Sequence, residues 1–133
     1  MKKVPAMIIQ SVRVPVYGCR FVMMVGNDKT KLPAEVQMHL TEDNTIYAHA
    51  FVFHYKGIHS YGILINPESG RVTYGTIAHE ALHCSLFLAE DHGFSDIMSD
   101  HEPTCYLTGY FTNTYIKFLQ KHKLINLIKH GPN

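Results

Sequence analysis

The chain has 133 residues, of which 46% are hydrophobic, so it is long enough to form one domain with a buried core. Its net charge of +1 provides no strong attraction to nucleic acids or anionic membranes, and no apolar run reaches membrane-spanning length. Three cysteines form no paired disulfide framework, and the N-terminus is a poor secretion signal. We therefore expect a single domain over residues 1–133, located in the cytoplasm.

The N-terminal region predicts a short strand followed by a buried one. Val12, Val14 and Val16 alternate with other residues, and Pro15 places this strand at a sheet edge. The continuous apolar run over residues 21–25 predicts the buried strand. A helix is then predicted, because capping residues and Pro33 precede an apolar stripe.

Two further strands are predicted over residues 46–55 and 58–66, which are rich in β-branched and aromatic side chains. The turn signal at 66–70 separates the second of these from a helical pattern. Three histidines in this region recur at intervals of five residues, which matches neither a strand face nor a helix face: His49, His54 and His59. We interpret them as ordinary surface or core residues.

A helix is predicted from Thr76 to Asp91, because apolar residues recur at three-to-four spacing and Gly93 follows. Thr73 or Thr76 is expected to cap its start. The helix contains an HExxH motif at residues 79–83. Chance alone would place such a motif in a chain of this composition roughly 3% of the time, which is the false-positive risk of any short motif.

The motif has the chemistry of a hydrolytic metal site. Residues four apart lie on one helix face, so His79 and His83 can bind the same zinc ion. Glu80 is adjacent and can accept a proton from an activated water. The three residues supply two ligands and a general base.

A third protein ligand is expected downstream, because catalytic zinc usually has three. Asp100 and Pro103 predict the start of another helix. Glu102 is the favoured ligand at this start, and Asp100, His101 and Cys105 are the alternatives.

Two residues of this helix share the face of Glu102. Tyr106, four residues on, either donates a hydrogen bond to an oxyanion at the metal or packs between helices. Gly109 is expected to allow a close approach to the motif helix. The predicted fold class is α+β, a small mixed sheet with helices packed against it.

The run from Asp100 to Tyr110, together with HExxH at 79–83, resembles the small zincin-like metallopeptidases inferred in phage and prophage genomes. The resemblance covers roughly residues 71–112, and the wider likeness is to gluzincins, in which a glutamate on a following helix completes the metal site. It implies a minimal zincin-like fold, with His79, His83 and Glu102 as zinc ligands and Glu80 as catalytic base. Metzincins are disfavoured, because their third histidine position is Ala89 here.

The expected function is therefore zinc-dependent hydrolysis of a peptide bond, with a protein or peptide as substrate and, for a phage protein, a bacterial host cell as its location. The alternative is a non-catalytic module in which zinc ties two helices together, with Cys105 or His101 as fourth ligand. Nucleic acid and membrane partners are not expected, since one lysine cluster is the only basic patch: Lys117, Lys121, Lys123 and Lys129.

Overall fold

The structure, a computed structural model, describes residues 3–40, 47–93 and 101–131. Within these ranges the chain forms a four-stranded mixed sheet and three α-helices, which confirms the predicted α+β class. The strands are β1 (Ile8–Arg13), β2 (Arg20–Val25), β3 (Ala48–Tyr55) and β4 (Ile58–Ile65), and the helices are α1 (Ala34–His39), α2 (Tyr74–Asp91) and α3 (Glu102–Lys121).

The first strand lies earlier in the chain than the valine alternation predicts. β1 ends at Arg13, and Val16 lies in a turn with a φ of 76° and 98% of its surface exposed. The prediction of a strand through Val16 is therefore wrong. Pro15 lacks the N–H that a continuing ladder needs, and the Val14 N–H instead bonds to the carbonyl of Cys19 and closes the turn.

The strand order in the sheet is β1-β2-β4-β3. β2 and β4 pair in parallel, and the two outer pairs are antiparallel. Lys56 and Gly57 join β3 to β4 with φ values of 52° and 80°, as a two-residue hairpin loop requires. β4 is thus paired on both sides, whereas β3 is an edge strand among the described residues.

The sheet buries a different core on each face. The α2–α3 face carries the larger core, whose side chains include Phe21, Tyr61, Ile63, Ile77, Phe111 and Tyr115. The α1 face carries a smaller core with Val22, Met24, Val36, Phe51 and Phe53. Adjacent residues of β2 and β4 enter opposite cores, because successive side chains of a strand alternate between faces.

Helices α2 and α3 form an antiparallel pair on the larger core. The Phe111 ring lies 4.7 Å from that of Phe21, and the Tyr115 hydroxyl donates to the Met24 carbonyl at 2.5 Å, so α3 runs along β2 in the same direction. The last residue of α2, Asp91, lies at the beginning of β4, so α2 runs the opposite way.

The start of α2 is fixed by its cap and by the C-terminal segment. The Thr73 side chain accepts from the Thr76 N–H, and the Thr76 hydroxyl accepts from the Thr73 N–H, which forms a capping box. After α3, the chain forms a short 3-10 turn at Ile125–Leu127. The carbonyl of Lys129 then accepts from the N–H of Tyr74 and holds this segment against the helix start.

Candidate metal centre

Helix α2 brings the two motif histidines together on an exposed face. Their ring centroids lie 4.9 Å apart with an interplanar angle of 73°. One ligand atom from each of His79, Glu80 and His83 lies within 4.8 Å of the others. Such a group can hold one metal ion, as the spacing of the motif predicts.

Glu80 differs from the histidines in its environment. The two histidines are exposed, whereas Glu80 has only 6% of its surface exposed. Its position one residue after His79 turns it from the exposed face toward the sheet, because successive residues of a helix lie about 100° apart. The carboxylate therefore borders both the histidine pair and the protein interior.

A cavity of about 500 Å³ opens beside this group. One wall is the first half of α2, and the other is the start of the edge strand β3. The lining residues are Tyr47, Ala48, His49, Gly75, Thr76, His79 and Glu80. A substrate entering this cavity would meet the Glu80 carboxylate and the His79 imidazole together.

The thiol of Cys84 lies one residue beyond His83 but belongs to the core. Burial raises its pKa well above the usual range, and the nearby Glu80 charge raises it further. Its Sγ lies 3.6 Å from the Gly62 carbonyl, to which it donates. Its full burial in the core and its bond to the Gly62 carbonyl make it a packing residue.

His49 is a site residue that the sequence interpretation missed. It lies near the start of β3 and lines the same cavity as His79 and Glu80. Burial lowers its pKa, the Glu80 charge opposes this shift, and His39 and His83 add to it. The sequence did show that His49 lies early in the first strand of the hairpin that precedes the motif. No spacing rule, however, connects that position with residues 79–83.

The predicted α3 residues lie toward the other end of the helix pair. Glu102 is exposed in the first turn of α3 and is not a member of the metal-compatible group among the described residues. Thr108 Oγ1 lies 2.9 Å from Ser85 Oγ and marks the level at which the antiparallel helices touch. At 1.5 Å per residue, Glu102 is about 12 Å along the axis from His83.

The other α3 predictions are placed as follows. His101 and Cys105 are exposed, and Tyr106 has 69% of its surface exposed. Asp100 lies outside the described residues.

The expected close approach of the two helices at Gly109 is wrong. Gly109 is exposed, and a Cβ added there would meet no described atom within 4 Å. A glycine is therefore not what brings these helices together.

The C-terminal end of α2 is held by a hydrogen-bonded cluster. Asp91 Oδ2 accepts from the Tyr61 hydroxyl at 2.6 Å and lies 2.9 Å from His59 Nε2. Burial raises the pKa of Asp91, but the bonds from Tyr61 and His59 outweigh this and leave it below its usual value. The cluster ties α2 to the beginning of β4.

None of the helices that the structure describes combines the length and the apolar character needed to cross a bilayer. No protein-family model matches this sequence, no curated protein is significantly similar to it, and no solved structure matches its fold significantly. The function must therefore be argued from the site itself.

Proposed function

We propose that this protein is a zinc-dependent peptide hydrolase of zincin-like type. The carrying observation is that ligand atoms of His79, Glu80 and His83 lie within 4.8 Å of one another beside a cavity of about 500 Å³. Two imidazoles that can share a metal ion and a neighbouring carboxylate are the ligands and the base that metal-assisted hydrolysis uses.

The donor set fits zinc. Imidazole nitrogens are common zinc ligands, and two of them one helical turn apart can share an ion. When bound, zinc lowers the pKa of a coordinated water and polarises the substrate carbonyl. A purely structural role would not need the cavity or the inward carboxylate.

Glu80 carries the proton through the reaction. As the water oxygen attacks the carbonyl carbon, the Glu80 carboxylate accepts a proton from that water. The carbon–nitrogen bond then breaks, and Glu80 returns the proton to the departing amine nitrogen. The products are a carboxylic acid and an amine, and Glu80 is regenerated as a carboxylate.

The substrate is an extended peptide that pairs with the edge of β3. β4 is paired on both sides, whereas β3 is an edge strand among the described residues and lines the cavity. The main-chain groups of Ala48, Ala50 and Val52 point away from β4, and no described residue pairs with them on that side. An added strand would run beside α2.

Glu35 marks one end of this edge. Its carboxylate accepts from the His54 N–H at 2.7 Å, so that main-chain donor is already paired. A bound peptide would therefore pair with the first part of β3, next to the cavity. Such a carboxylate also protects an exposed edge from unwanted strand addition.

Glu102 is the proposed third protein ligand, on the strength of the zincin resemblance. Its distance along the helix pair requires the first turn of α3 to approach His83 when zinc binds. His101 and Cys105, in the same turn, are the described alternatives. The zinc content of variants at these positions tests which residue is the third ligand.

The test is the zinc content of purified protein by elemental analysis. We expect about one zinc per chain in the wild type, loss in His83→Ala, and retention in His54→Ala, an exposed histidine outside the cavity. Loss in Glu102→Ala would identify the third ligand, and retention would assign it elsewhere. A wild-type protein that binds no zinc after reconstitution would contradict the proposal.

A further inference from the structure

We infer that His49 is a catalytic residue that donates a hydrogen bond to the carbonyl oxygen of the scissile bond as that oxygen gains negative charge. The inference rests on the proposed function and extends it to the wall of the cavity opposite α2. No HExxH residue supplies this donor, because the proposed function makes His79 and His83 zinc ligands and Glu80 the general base.

The position of His49 is set by the sheet edge. Tyr47 precedes β3, so β3 contributes two residues to the cavity, Ala48 and His49, and the side chain of Ala48 has no hydrogen-bond donor. Of the two wall side chains that can donate to a substrate oxygen, Tyr47 packs against the larger core, which favours His49 as the donor. A peptide paired with the β3 edge would pass between His49 and the α2 wall.

The ring of His49 is held in place by packing. Its centroid lies 4.5 Å from that of Phe51, with the rings tilted by 55°. The centroid of the His39 ring lies 6.2 Å from that of Phe51. A half-buried imidazole supported in this way loses little freedom when it binds substrate, which suits a group aimed at a developing charge.

Several observations separate this role from metal ligation. His49 is not a member of the group formed by residues 79, 80 and 83. It pairs across the strands with Leu64 on the α1 face, and it lines the cavity at the edge of the sheet. An imidazole in its neutral form still has one N–H to donate.

The experiment compares two substitutions of His49. His49→Phe keeps an aromatic ring against Phe51 but removes the donor, whereas His49→Gln keeps an N–H. We expect kcat to fall by about 10²- to 10³-fold in the Phe variant, as when an oxyanion donor is lost, with KM and zinc content unchanged. The Gln variant should recover much of the rate. His54→Phe, on the same strand and outside the cavity, is the control.

A second readout does not depend on turnover. Zinc binding changes the imidazole nitrogen resonances of direct ligands, so we expect shifts for His79 and His83 and none of that size for His49. Loss of zinc from His49→Phe, or a ligand-type shift of His49, would make it a metal ligand and overturn the inference. Equal kcat in His49→Phe and His54→Phe would also overturn it. A wild type with neither zinc nor turnover would instead remove the proposed function itself.

Discussion

The two halves of α2 bury one face in the same core but differ in what surrounds the rest of the helix. The part from Tyr74 to His83 presents the two exposed histidines and lines a cavity, and we call it the open half. The remainder is hydrogen-bonded to α3 and to the sheet, and we call it the packed half. In the second half, Leu88 is fully buried and Asp91 is bound by Tyr61. The packed half holds the helix in place, so the motif histidines of the open half can stay exposed.

Truncation of the packed half should have the largest effect on stability. Leu88 is fully buried, so Leu88→Ala should lower the free energy of unfolding by about 2–5 kcal/mol through lost burial and a cavity. Leu82 is 44% exposed, and Leu82→Ala is the matched control with an effect of about 0.5 kcal/mol or less. Denaturant melts measure the free energy of unfolding of both variants. Equal losses would show that the open half is packed as firmly at Leu82 as the packed half is at Leu88.

Zinc should stabilise the protein through the open half. At a free zinc concentration one hundred times the dissociation constant, the free energy of unfolding should rise by about 2.7 kcal/mol. The increase should disappear in His83→Ala, because one of the two helical ligands is gone. Thermal melts with and without zinc measure this. An undiminished increase in His83→Ala would place the bound zinc elsewhere.

Loss of the α2 cap should have a smaller effect. Thr73→Ala removes the side-chain acceptor for the Thr76 N–H and should cost about 1 kcal/mol of stability. Thr73→Ser keeps the hydroxyl and should cost little. If both variants melt like the wild type, the C-terminal segment at Lys129 rather than the capping box fixes the helix start.

The anchor at Asp91 should show itself in the dependence of stability on pH. Because the pKa of Asp91 is lower in the folded protein than its usual value of about 3.9, its contribution is complete above that pH and is lost as the pH falls through the folded value. Asp91→Asn should therefore destabilise the protein at pH 7, and the difference from wild type should shrink below about pH 4. The exposed neighbour variant Glu90→Gln is the control. A difference that does not change with pH would contradict the role of the carboxylate charge.

Local signals in the sequence predicted much of this fold. The motif helix was expected at residues 76–91 and begins at Tyr74, with Thr73 as its cap. Local residue preferences also predicted the strands at 46–55 and 58–66 and the two helices that follow them. The first strand was displaced, because the valine alternation continues past Pro15 into a turn that apolar patterning does not distinguish from a strand.

The site was predictable only where its residues share one helix. The spacing of His79 and His83 determines their geometry, but the cavity wall depends on strand order, which no local pattern encodes. His54 and His59 face each other across the hairpin with rings 5.4 Å apart, so their interval of five reflects a turn and not a face. His49 lies at the cavity because the start of the edge strand β3 lies beside the first half of α2. The level of Glu102 depends on how α3 packs against α2, which spacing along the chain does not determine.

The most direct test of the account is a paired measurement on Glu80→Gln. Zinc content and peptide hydrolysis are measured on the same preparation, beside the wild type, with a protein substrate such as casein and its peptides. The account predicts that the variant keeps about one zinc per chain and that hydrolysis falls by about 10²- to 10⁴-fold, since the histidine ligands are intact and the base is gone. A variant with bound zinc and undiminished hydrolysis would contradict the assignment of Glu80 as the base and, with it, the proposed reaction.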